Sequence, residues 1–390
     1  MTRRLVYLIT EDWYFRQHFL NLAEAARDAG YDVHVLCRTG ERGPEAAASI
    51  RAAGLSLREI DFARTGLNPF KDLAIRRRIT AAYRELKPDI VHHVALKPII
   101  HGQAAARAAD ITGRVNFLPG FGHVFTSTGI KARLLRPLVS QALARALAGE
   151  IQGTMAMNQD DRRELAALAR VDPGAITVLP GTGVDLDRFP PVPEPDGEPV
   201  VTYVGRFLKD KGLGDLVAAG RLLNGRGVPI TIRLVGGPDP SNPASIGARV
   251  LREWERESFI EITPWTQDVA SVWRDSHIAV LPSYREGFGM SLAEAAACGR
   301  ALIATDVQGC REAVLDRHSG ILIPPRDPVA LAGAIETLAY ELDLRRRFAA
   351  AARQDALDRL SVDRINRTVL DLYETVLAPA KPARSSPASS

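Results

Sequence analysis

The sequence lacks the marks of several common protein classes. It holds three cysteines in 390 residues, Cys37, Cys298 and Cys310. An odd number at wide spacing argues against a disulfide framework and a zinc pattern, and fits reduced thiols in the cytosol. No run of about 18 apolar residues occurs, so no bilayer-spanning helix is expected. Neither sign of charge prevails: 50 Lys and Arg stand against 46 Asp and Glu. That balance excludes wholesale nucleic-acid binding and leaves room only for local basic patches. The opening MTRRLVYLITEDWYF contains a short apolar run that stops at Glu11-Asp12 without a small-residue cleavage site. It reads as a buried first strand and not as a signal peptide. What is present is ordinary globular material, 46% hydrophobic and 25% charged, enough to bury a core in two or three domains of roughly 150 residues.

Short apolar runs alternate with longer helical stretches. Strands are expected at 5–9, 32–37, 89–96, 114–118, 154–158 and 176–180, with a helix over 18–30 ending at Gly30. PPVPEPDGEP (190–199) carries too many prolines for a helix or a central strand and reads as a linker. The alternation restarts at VVTYVGR (200–206), with further strands at 230–237, 259–263, 277–283, 301–306 and 320–325. Strands separated by helices predict βαβ units and parallel sheets. The expected plan is an N-terminal domain over 1–189, a linker at 190–199 and a C-terminal domain over 200–362. An amphipathic helix over 363–378 could return to the first domain, and a Pro/Ser/Ala-rich tail over 379–390 is expected to be disordered. Ligands of open parallel sheets sit at the carboxyl ends of the strands, so the cleft between two such sheets is the natural site.

Two segments carry chemistry. GRFLKDKG (205–212) follows a strand, and its Arg206 and Lys211 suit a diphosphate. They could hold it and offset the charge on a leaving nucleoside diphosphate. The segment is not a Walker loop, and alone it could be a solvated basic turn. REGFGMSLAEAAACG (285–299) places Glu286 in a glycine-rich loop and Glu294 in the helix behind it. Ser291 reads as the N-cap and Gly299 as the stop. The free N–H groups of such a helix start favour phosphate, and Glu294 could accept from ribose hydroxyls. Ser291-x-x-Glu294 is equally a capping box.

GRFLKDKG, VGG (235–237) and EGFGMSLAEA (286–295) together resemble the donor half of the retaining family 4 glycosyltransferases. Their fold is GT-B, an α/β architecture of two Rossmann-like parallel-sheet domains facing an interdomain cleft. ITEDWYF (9–15), HHVALKPIIHG (92–102), GFGHVFTS (120–127), MNQDDRREL (157–165), GTGVDLDRF (181–189) and VGGPDPSNPASI (235–246) resemble a bacterial subgroup. That subgroup builds glycans on polyprenyl-diphosphate lipids, and includes enzymes that add N-acetylgalactosamine to lipid-linked diacetylbacillosamine. The resemblance implies that Arg206 and Lys211, beside Gly205, hold the diphosphate. It makes Glu294 the ribose acid and puts Glu286 by the donor sugar, with Phe288, Gly289, Met290 and Ser291 in the phosphate and sugar loop. In TPWTQDV (263–269), Trp265 and Thr266 would receive the base. The subgroup more often has proline and a basic residue where Gly289 and Met290 stand, which bears on the donor sugar and not on the reaction.

The N-terminal half should hold the acceptor. Lys97 could meet a phosphate or be a surface lysine, and Asn158 is a cleft candidate by position. His18, His92, His93, His101 and His123 are candidates for acid–base work or are structural. Asp185-Leu-Asp187 spells a D-x-D pattern, but the cations already present make a metal unnecessary, and no cofactor is expected. Residues 130–150 are basic and apolar, interrupted by Pro137, and could lie on an anionic membrane or pack on the sheet. The resemblance implies transfer from a UDP-sugar, an N-acetylhexosamine or a hexose, to a polyprenyl-diphosphate-linked glycan. The expected place is the cytoplasm, peripheral on the inner face of the plasma membrane, with no nucleic-acid partner. An isomerase of the sugar-nucleotide 2-epimerase kind and a non-catalytic sugar-nucleotide-binding partner are the alternatives.

Overall fold

The computed structural model describes residues 2–40, 45–61, 69–121, 130–148, 151–240 and 242–378. His123, most of GFGHVFTS and the 379–390 tail lie outside them. Two compact units emerge. The first comprises the chain up to Ala156, Arg162–Thr177 and the chain from Asn366 on. The second comprises Met157–Asp161 and Val178–Ile365.

The first unit carries a seven-stranded sheet in the order β3-β2-β1-β4-β5-β6-β7. Its strands are β1 Arg4–Glu11, β2 Asp32–Arg38, β3 Ser56–Glu59, β4 Ile90–Val94, β5 Gly113–Leu118, β6 Thr154–Ala156 and β7 Thr177–Val178. The pairs from β3 through to β6 are parallel. β4 is buried at every position, although its sequence IVHHV carries two histidines in a row. Alternation sends them to opposite faces. His92 Nδ1 meets Tyr373 Oη at 2.7 Å, and Tyr373 meets Tyr7 Oη at 2.8 Å. His93 lies 3.0 Å from Asn116 Oδ1 and 3.1 Å from Tyr83 Oη. Tyr373 belongs to helix Val362–Leu377, so this polar chain fastens the last helix to the first sheet.

The second unit carries a six-stranded sheet in the order β10-β9-β8-β11-β12-β13, all parallel. Its strands are β8 Val200–Arg206, β9 Thr231–Gly237, β10 Ile260–Pro264, β11 Ile278–Leu281, β12 Ala301–Thr305 and β13 Gly320–Ile323. β11 and β12 are buried throughout, as strands covered by helices on both faces must be. Counted from its first strand, each sheet runs 3-2-1-4-5-6, the dinucleotide-binding order. Its topological switch lies between the first and fourth strands. In the second unit that switch lies between β8 and β11. Segment 190–199 is irregular. Arg300 Nη2 donates to Val192 O at 2.9 Å, and Arg345 pairs with Glu194 at 2.8 Å.

Three local expectations change. The helix expected over 18–30 is found at Leu20–Asp28, and a separate short helix that was not expected, Asp12–His18, precedes it across a break at Phe19. β3 (SLRE) was not legible as a strand because it is a mostly exposed edge strand with no apolar run. Helix Ile130–Leu147 runs through Pro137 without interruption.

Candidate active site

The β8 strand delivers its carboxyl end at Gly205 and Arg206, and a short 3-10 turn, Lys209–Lys211, follows. Gly212 closes that turn with φ of 71°, and a Cβ there would meet Pro282 O at 2.0 Å. The turn after β8 is therefore pressed against the loop after β11, and only glycine fits between them. The contact brings the two sequence segments together. Lys211 Nζ forms an ion pair and hydrogen bond with Glu286 Oε1. Ser283 Oγ donates to the same oxygen at 2.8 Å. Arg206 is exposed and pairs with Asp239 at 3.0 Å. Asp239 opens the loop after β9, and its N–H bonds Ser245 Oγ at 3.0 Å.

The 286–289 loop is braced from beneath. Gly309 packs so closely that a Cβ would sit 2.5 Å from the Gly287 carbonyl. Asn158 Nδ2 donates to Gly287 O at 3.1 Å and to Asp161 Oδ2 at 2.9 Å. Asn158 is fully buried, so it supports the loop and does not present itself to a ligand. Phe288 and Gly289 are buried, while Met290 and Ser291 are half-buried.

The helix after this loop is Met290–Ala297, and its N-cap is Gly289, without a side-chain cap bond. Ser291 is thus inside the first turn and not the N-cap expected from the sequence, and the capping box does not form. Gly299, at φ 72°, ends the helix as expected. Glu294 is released from capping duty, and its carboxyl is pushed up to about 7. Burial is the main cause, opposed by Arg188 and by the Trp273 indole. β10 leads into the 265–268 turn. Trp265 there is 62% exposed, and Thr266 Oγ1 accepts from Asp268 N at 3.1 Å.

The remaining candidates lie elsewhere. Lys97 is in the first turn of helix Leu96–Ala108, directly after β4 in the first unit. Partial burial lowers its pKa, against the pull of Asp72. Of the five histidine candidates, His18, His92, His93 and His101 do not suit acid–base work near neutrality. Burial drives His92 down to about 3 and His18, His93 and His101 down to about 4. Asp185 Oδ1 accepts from the backbone N–H groups of Asp187 and Arg188 at 3.0 and 3.1 Å, which makes the D-x-D segment a capped turn. Among the described residues no group of three or more His, Cys, Asp or Glu could hold a metal ion. Sequence reasoning overlooked Asp239 and Arg188. Both lie in segments that carry the family resemblance, GTGVDLDRF and VGGPDPSNPASI, but no motif singles out either residue.

The model of the glycosyl transferases group 1 matches residues 198–341, and that of glycosyl transferase 4-like proteins matches residues 4–148. The chain is 27% identical to the N,N'-diacetylbacillosaminyl-diphospho-undecaprenol alpha-1,3-N-acetylgalactosaminyltransferase of Campylobacter jejuni, over 92% of this chain and 96% of that one. It is 31% identical to the D-inositol 3-phosphate glycosyltransferase of Jonesia denitrificans, over 73% of this chain and 71% of that one. Anabaena Alr3699/HepE, solved in complex with UDP, superposes with a TM-score of 0.77 at 15% identity, over 96% of this chain and all of that one. These likenesses do not favour the isomerase or the non-catalytic alternative. Two Rossmann-ordered parallel sheets, a glycine-locked junction at the second sheet's switch point and matches across both halves lead to one conclusion: the chain belongs to the group 1, family 4-like glycosyltransferases and is an enzyme of GT-B fold.

Proposed function

We propose that the protein transfers a sugar from a UDP-sugar to a hydroxyl of a polyprenyl-diphosphate-linked glycan in bacterial surface-glycan assembly, with retention at the anomeric carbon. The observation that carries the donor half is the Lys211–Glu286 pair at the β8/β11 switch. One residue of the proposed diphosphate cradle already touches the acid proposed to face the sugar. Arg206, Lys211 and the start of helix Met290–Ala297 stabilise the charge that develops on the departing diphosphate. Glu294 accepts from the ribose hydroxyls, and Trp265 and Thr266 flank the base. The Phe288–Ser291 loop meets the phosphates and the sugar. Burial holds His18, His92, His93 and His101 far below neutrality, and in the proposed reaction the acceptor proton passes to a leaving-phosphate oxygen as the new C–O bond forms on the face the diphosphate vacates. Lys97, at the carboxyl end of the central β4 strand, is the proposed contact for the acceptor's phosphate.

The lipid-linked acceptor gives the first unit's charge a purpose. Residues 69–148 hold thirteen Lys and Arg against four Asp and Glu, which leaves the rest of the chain net acidic. Helices Pro69–Leu86 and Ile130–Leu147 both pack against helix Leu96–Ala108. They expose Phe70 at 86% and Leu134 at 72%, with Leu73 and Leu138 also exposed. Apolar side chains among exposed arginines suit an anionic lipid surface. No described helix is long and apolar enough to cross a membrane, so the proposed contact is peripheral.

The test is UDP release on adding UDP-sugar and a lipid-linked acceptor. Arg206→Ala and Lys211→Ala should each lower turnover by at least about tenfold, as loss of charge stabilisation requires. Wild-type turnover in both variants would overturn the assignment.

A further inference from the structure

Arg188 belongs to none of the residue groups so far given a role, yet three observations gather around it. First, the Asp185 carboxylate caps the Arg188 N–H at 3.1 Å and fixes the turn from which the side chain leaves. Phe189, the next residue, is anchored in the core, and the guanidinium carbon lies 5.3 Å from its ring centroid. Second, Arg188 Nη2 donates to Gln267 O at 2.7 Å. Gln267 sits in the 265–268 turn, so Arg188 ties that turn from outside its own strand. Third, Arg188 lies within electrostatic reach of Glu294 and favours its ionised form. The same turn runs into helix Val269–Arg274, which packs on helix Met290–Ala297. It contributes Trp273, whose buried indole N–H also favours the Glu294 carboxylate. At the C-cap of the acid's helix, burial pushes the Cys298 thiol up to about 11, so it stays neutral.

From this arrangement we infer that Arg188 is a nucleoside-positioning residue, holding the base-side turn at Gln267 and keeping the Glu294 carboxylate charged for the ribose. The inference rests on the nucleotide reading of the site. An anionic acceptor in a partly buried site is useful only when ionised, and a single cation nearby sustains that charge. A hydrogen bond to Gln267 O alone could be supplied by a neutral side chain. The charge on Glu294 could not.

Two variants separate those contributions. Arg188→Lys keeps the charge, and Arg188→Gln keeps a donor for Gln267 O but loses the charge. UDP affinity of each is measured by calorimetry across pH. The glutamine variant should bind UDP about fivefold more weakly near pH 7, and the deficit should close by about pH 9, where Glu294 ionises without help. The lysine variant should stay within about twofold of wild type throughout, on the same reasoning. A deficit that is equal in both variants, or constant with pH, would reduce Arg188 to a structural clamp and overturn the inference. Wild-type protein that binds no UDP at all would instead overturn the nucleotide reading, and this inference with it.

Discussion

At Glu294, burial and the proposed ribose contact pull one carboxylate in opposite directions. Its pKa in the folded protein is about 7 against an ordinary 4.5. The folded state therefore holds the proton more tightly than the unfolded chain does. The stability this confers is present at low pH and is lost as pH rises from about 4.5 to about 7. Glu294→Gln removes a cost on the order of 3 kcal/mol at alkaline pH. The variant should melt higher than wild type near pH 8 and alike near pH 4, while binding UDP more weakly. Thermal melts and calorimetry at both pH values check this. Equal melting near pH 8 together with unchanged UDP affinity would return the residue to a bystander's role. The trade is typical of functional sites, which keep groups that a purely stable fold would discard.

Among the elements, the central strands were readable because burial on both faces leaves continuous apolar runs, as in VVTYV and IAVL. The elements that escaped have physical reasons. β3 is a mostly exposed edge strand that needs no apolar alternation. The break at Phe19, where φ is −128°, carries no proline or glycine to announce it. Ser291 looked like a cap because its spacing to Glu294 is right, but the helix begins one residue earlier, at Met290. Of the candidate site, the cations and the paired acids were visible as motifs after strands. Among the supporting groups, Asn158 stood out only by its place after a strand, and Gly309 and Asp239 not at all: these act across long stretches of chain, where sequence spacing says nothing. Helices Pro69–Leu86 and Ile130–Leu147 carry the lipid-surface proposal. Leu134→Glu combined with Phe70→Glu should cut binding to anionic vesicles by about tenfold or more, by loss of apolar burial and added repulsion. Turnover on a short water-soluble acceptor should be unchanged. Co-sedimentation with phosphatidylglycerol vesicles reads the first effect, and undiminished binding would remove these helices from the interface.

At the scale of the whole molecule, the second sheet gathers groups from two distant segments at its switch point. Both cations are paired with acids, Arg206 with Asp239 and Lys211 with Glu286. On the proposed reading, a diphosphate would compete with these acids for the two cations. The most direct measurement compares UDP with uridine by calorimetry, because the difference isolates what the diphosphate contributes. Wild-type protein should bind UDP at least about tenfold more tightly than uridine, a gap of about 1.4 kcal/mol or more. In Arg206→Ala and Lys211→Ala the gap should shrink while uridine affinity stays the same. A gap that persists undiminished in both variants would mean that the diphosphate is held elsewhere, and would contradict the account.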